Sequence, residues 1–111
     1  MRITSRWSIH VVISLAFVLL SCVPAHAARG KVTHRVSGCD YFTVETSRGF
    51  AILEWYGGHD PDKGDSIVGN YESYGMKTVF DETTEQEVRV WVEDYALSKS
   101  DALEKLYDKC E

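Results

Sequence analysis

The chain has 111 residues, 26% of them charged, with seventeen acidic against twelve basic side chains and a formal net charge of −5. That balance argues against a nucleic-acid binder, whose affinity comes largely from a basic surface neutralising phosphates. Three cysteines and 12% aromatics suit one small globular unit.

Residues 1–27 read as a cleaved export signal. Arg2 and Arg6 supply a positive start, Val11 to Leu20 an apolar run, and Ala25-His26-Ala27 a small-residue cleavage site. The run is too short to span a hydrocarbon core, which needs about 20 residues. Leu19-Leu20-Ser21-Cys22 offers a second reading, a lipobox in which Cys22 is lipidated and becomes the N-terminus. The expected location is periplasmic or secreted, with a lipid anchor in the cell envelope as the alternative. No transmembrane span is expected in the mature chain, which meets a membrane only if Cys22 is lipidated. Cleavage before Ala28 leaves residues 28–111 as a single domain, and losing Arg2 and Arg6 takes the formal charge from −5 to −7.

From Gly30 onward, short apolar or alternating runs separated by turn residues predict six strands. Lys31 to Val36 sets Val32, His34 and Val36 on one face, and Tyr41 to Thr46 sets Phe42 and Val44 together. Ser47-Arg48-Gly49 reverses the chain into Phe50 to Tyr56, with Gly49 supplying the positive φ of a hairpin turn. That arm is apolar almost throughout, as expected of a strand covered on both faces. After a polar turn from Gly57 to Asp65 come Ser66 to Tyr71, Met76 to Phe80, and Glu87 to Glu93, in which Val88, Val90 and Val92 alternate with Arg89, Trp91 and Glu93, so that Trp91, like Tyr41, should face outward or under the helix. Gly69 suggests a bulge or tight bend.

The C-terminus changes period. Ser98 with Asp101 resembles a capping box, and Leu103, Leu106, Tyr107 and Cys110 fall on one face of a helix over about 98–110. Asp101 and Lys105 stand at pairing distance on that helix. The fold class expected is mainly β: a small OB-like or SH3-like barrel of about six short strands with one C-terminal helix. The ordinary OB arrangement places its helix between the third and fourth strands; the Gly57 to Asp65 link is too short and too rich in Gly and Pro for one. Cys39 and Cys110 are expected to form a disulfide, clamping the helix to the sheet. Closing so long a loop should contribute about 4 kcal/mol in the chain-entropy model.

The chemistry-bearing residues are few. His59, Asp60, Asp62 and Asp65 are the candidates for a weak cation site, although the segment fails the calcium-loop template: Gly64 stands where the third side-chain ligand belongs and Asp65 where the glycine belongs. The same residues are good turn formers. His34 has no partnered nucleophile in sequence, and the adjacent carboxylates Asp81 and Glu82, or Glu93 and Asp94, should point to opposite faces of their strands. No catalytic residue, resident metal or cofactor is expected. Aromatics flanking the long turns suggest a recognition surface of Trp55, Tyr56, Tyr71, Tyr74 and Arg89. These features describe an exported binding or adaptor module for a protein or envelope glycan. An inhibitor of a basic secreted enzyme such as a lysozyme is the first alternative, and a weak metal-dependent hydrolase using His59 and its aspartates the second.

Overall fold

Alternation of small apolar side chains dictates the architecture. Val88, Val90 and Val92, with Phe42 and Val44, Ala51 and Leu53, and Ile67 and Val79, all point to one interior and are buried there. A computed structural model describes residues 27–111; the segment read from sequence as an export signal, through His26 and with Cys22, lies outside the described residues. The strands are β1 (Ala28–Arg35), β2 (Tyr41–Thr46), β3 (Gly49–Gly58), β4 (Ser66–Gly69), β5 (Gly75–Asp81) and β6 (Gln86–Leu97), followed by helix α1 (Lys99–Lys109). They close into a barrel in the order β1-β2-β3-β6-β5-β4. Every neighbouring pair is antiparallel. Two three-stranded meanders are thus joined edge to edge by the β3–β4 connection, and the helix is C-terminal.

β2 runs over the residues that the sequence predicts, and the hairpin to β3 turns on Gly49. There φ is 114° and a Cβ would lie 2.8 Å from the Leu97 carbonyl oxygen. β1 begins three residues earlier than expected, because Ala28, Arg29 and Gly30 pair with Gly69, Val68 and Ile67 to close the barrel. The expected Val32, His34, Val36 face does not form. A register shift between Val32 and His34 rotates the strand, leaving His34 half-buried with Nδ1 3.2 Å from Thr43 Oγ1. β6 extends to Leu97 through irregular pairing with β3. Gly69 ends β4 close to Val79, where a Cβ would meet the valine side chain.

The first half of β3 is covered on both faces, while its second half leaves Tyr56 exposed. Ala51 and Leu53 face the barrel core, while Ile52 and its partner Thr43 on β2 face outward and are fully buried where α1 packs on β2 and β3. Ser98 caps α1, its Oγ accepting from the Asp101 N–H at 3.2 Å. The buried stripe of α1 is Ala102 and Leu106, one position round from the expected one, and Tyr107 is exposed. Lys105 reaches Asp94 of β6 at 3.0 Å instead of pairing with Asp101. α1 runs back along the wall for about 16 Å and brings Cys110 to Cys39, forming the disulfide across 71 positions with Cα atoms 5.5 Å apart. No helix among the described residues is long and apolar enough to cross a membrane.

Candidate functional site

Antiparallel closure gathers the β1–β2 loop, the β3–β4 loop and the β5–β6 turn at one rim of the barrel. At this rim the chain enters the β3–β4 loop through Gly58. Its φ of 75° and the 2.7 Å that would separate a Cβ from the Glu87 carbonyl oxygen leave room for glycine alone. His59 follows. Its N–H donates to the Glu87 carbonyl at 3.3 Å, and its own carbonyl accepts from Trp55 Nε1 at 3.1 Å. Asp65 closes the loop, its Oδ2 accepting from the Asp62 N–H at 3.1 Å and its carbonyl from the Val32 N–H at 3.0 Å. Asp81 ends β5 opposite Ile67, on the inward face. Its Oδ1 accepts from the N–H groups of Thr83 and Thr84 at 2.9 and 3.1 Å, so the carboxyl group forms the β5–β6 turn.

The second oxygen of Asp81 has another environment. His59 Nε2 lies 3.4 Å from Asp81 Oδ2 and 3.6 Å from Asp65 Oδ2, and these donor atoms all fall within 4.8 Å of one another. Asp81 is 0% exposed. Neither His59 Nε2 nor Asp81 Oδ2 has an aligned hydrogen-bond partner among the described residues. Burial, reinforced by the neighbouring Asp65 carboxyl, pushes Asp81 above the ordinary carboxylate range. For Asp65 burial also pulls upward, but contacts with Asp81, the Asp62 N–H and His59 outweigh it and hold the group below its ordinary value.

Of the four loop residues proposed for a cation, the structure therefore brings together His59 and Asp65, and adds Asp81. Asp60 leaves the group to pair with Arg35 Nη1 at 2.6 Å. The same nitrogen donates to the Pro61 carbonyl, and the guanidinium lies 4.7 Å from the centre of the Phe42 ring. Asp62 is exposed and contributes its backbone. Asp81 was legible only as a strand-end residue in step with Val79, two positions earlier. His34 has no accessible nucleophile beside it, since Thr43 is sealed beneath α1, and burial lowers its pKa.

The five-residue recognition surface does not assemble as a group. Trp55 stands opposite Val90 on the inner face and packs against the core. Tyr71 is 2% exposed, its hydroxyl satisfied by the Ile67 carbonyl at 2.8 Å inside the barrel. Tyr74 is exposed beyond the opposite rim, with its ring 5.0 Å from Tyr95 and its hydroxyl donating to Asp94 at 3.4 Å. Tyr56 and Arg89 remain on the outer wall of β3 and β6.

There they join residues that sequence reasoning left out. Met76 of β5 is directly opposite Trp91 of β6, which is opposite Glu54 of β3, which is opposite Tyr41 of β2. Thr78 faces Arg89, and Phe80 faces Glu87. Trp91, 39% exposed, is flanked by exposed Met76, and Tyr56 and Phe80 are exposed on the same wall. Strand alternation turns Trp91 outward, as expected from the sequence, without joining it to the recognition surface; Phe80, out of phase with Val79, could have been added in the same way.

No family model, curated protein or solved structure matches this chain.

Proposed function

We propose that this chain is an exported, disulfide-clamped binding module that docks a basic extracytoplasmic protein through the outer wall of β3, β6 and β5. The observation that carries the reading is the uncovered group of Met76, Trp91, Phe80 and Tyr56 on three adjacent strands. Trp, Tyr, Met and Arg are the residue types that concentrate at the centres of protein interfaces, and Arg89 lies among them. Glu54 and Glu87 stand on the same wall. With a mature charge of −7, they favour encounter with a cationic partner. An inhibitor of a basic secreted enzyme, a lysozyme for instance, is the narrowest form of this reading.

The leader and the disulfide support a periplasmic or secreted location, with lipidation at Cys22 as the variant form. Intact mass and N-terminal analysis of protein from the native envelope separates them: a start at Ala28 supports the free module, an acylated Cys22 the anchored one. The binding test uses purified basic extracytoplasmic proteins, lysozymes included, immobilised and titrated with the oxidised protein. Saturable binding that falls at least about tenfold in Met76→Ala/Trp91→Ala and weakens in Glu54→Lys/Glu87→Lys supports the reading. Binding indifferent to both double variants, or binding to isolated envelope glycan alone, overturns it.

A further inference from the structure

We propose that His59, Asp65 and Asp81 form a structural site for a divalent transition-metal ion of the zinc type, which staples both ends of the β3–β4 loop to the end of β5. The donors are one imidazole nitrogen and two carboxylate oxygens. Imidazole favours zinc and its neighbours over magnesium or calcium, which prefer all-oxygen shells of six or more ligands. Ligand bonds of about 2.1 Å arranged tetrahedrally place donors about 3.4 Å apart. The observed separations of His59 Nε2 from Asp81 Oδ2 and Asp65 Oδ2 are 3.4 and 3.6 Å. An ion at the common centre is therefore within reach of small side-chain adjustments.

Three further features set this cluster apart from a patch of acidic residues. Asp81 is fully buried and its Oδ2, aimed at His59, has no hydrogen-bond partner among the described residues. An unpaired buried carboxylate oxygen is costly, and a divalent cation compensates two carboxylates at once. Both carboxylates are also held by backbone N–H groups, Asp65 by that of Asp62 and Asp81 by those of Thr83 and Thr84, and supports of that kind hold metal ligands in orientation. His59 is positioned through its main chain, by Trp55 Nε1 and the Glu87 carbonyl. The three ligands also come from separate places in the chain, so the ion would cross-link both ends of the β3–β4 loop to β5, while Arg35 holds its middle through Asp60 and Pro61.

The site differs from the sequence expectation in its membership and in its role. Asp60 and Asp62 are not ligands, and the ion holds the fold together without catalytic work. Cys39 and Cys110 do not compete for it, being joined to each other.

The test is titration of chelator-treated, oxidised protein with Zn²⁺ by calorimetry, alongside thermal unfolding and the visible spectrum of the Co²⁺ form. One ion per chain with a micromolar or tighter Kd, a midpoint raised by several degrees, and cobalt bands of a four-coordinate centre, with water as the fourth ligand beside the three side chains, are expected. Asp81→Asn, which keeps the Oδ1 acceptor for Thr83 and Thr84, and His59→Gln should each weaken binding at least about tenfold; His34→Gln should leave it unchanged. Circular dichroism checks the fold, and His59→Gln decides alone should Asp81→Asn fail to fold. No stoichiometric Zn²⁺ binding, binding equal in wild type and His59→Gln, or preference for Mg²⁺ or Ca²⁺ would overturn the assignment.

Discussion

On the β2–β3 side of the barrel the outward residues Thr43 and Ile52 are fully buried where α1 packs, whereas on the β6–β5 side the outward residues Trp91 and Met76 stand uncovered. The inward residues of both sides are largely apolar, Phe42, Val44, Ala51 and Leu53 on one and Val79, Val88, Val90 and Val92 on the other. The wall itself thus needs no outer cover to close, and the difference lies in what each outer face is built to meet. One meets the chain's own helix, held by Leu106 and the Cys39–Cys110 bond. The other carries larger side chains with nothing from the described residues over them, an arrangement that suits a second molecule.

Removing the clamp is the strongest way to break the covered face. Cys39→Ser and Cys110→Ser should each lower unfolding free energy by about 4 kcal/mol, measured by urea denaturation, and the double variant should lose no more than either alone. Unequal single losses or an additive double would mean that the cysteines do not act as a pair. Next in size is Leu106→Ala, expected to cost about 3 kcal/mol through the cavity it leaves between α1 and β3. A loss below about 1 kcal/mol would mean that the disulfide, and not packing, holds the helix against the wall.

Most of the barrel was legible because its code is local. Val88, Val90 and Val92 alternate without interruption, and Ala51, Ile52 and Leu53 form an unbroken apolar stretch because this part of β3 has core on one side and a helix on the other. What escaped reading depends on contacts between distant segments. Pairing with β4 makes Ala28 to Gly30 a strand, and irregular pairing with β3 carries β6 on to Leu97. A register shift in β1 takes His34 off its expected face. The candidate cation cluster escaped for the same reason. Asp81 lies sixteen positions from Asp65, and only the antiparallel return of β5 along β4, with Asp81 opposite Ile67, brings it back to the end of the loop. Trp55 and Tyr71 were misplaced because aromatic rings beside a turn serve a small barrel equally well as plugs for its interior.

Tyr41 sits at the seam between the two faces, in the row that runs through Glu54 to Trp91 and with Lys109 of α1 5.6 Å from its ring centre. Burial first, and then its hydrogen bond with Glu54, pushes the phenol up to about 12 from an ordinary 10.0. The fold favours the neutral phenol, so this contribution is fully present below pH 10 and is lost as pH rises through 12. Tyr41→Phe should accordingly show a shallower fall in stability than wild type across that window. Identical curves, with Tyr41 ionising at its ordinary value by tyrosinate absorbance, would detach it from the seam.

The smallest expected effect on stability is also the most informative about purpose. Trp91→Ala removes a large, 39% exposed side chain whose chain neighbours Val90 and Val92 stay buried in the core and whose cross-strand partners are Met76 and Glu54. Such pairs contribute about 1 kcal/mol or less, so its urea midpoint should move little beside that of Leu106→Ala. Loss of partner binding with an almost unchanged midpoint would mark the outer wall as a surface kept for recognition. A loss of about 3 kcal/mol, the size of a core truncation, would show instead that the tryptophan holds β5 to β6, and the contrast between the two faces would then be one of packing alone.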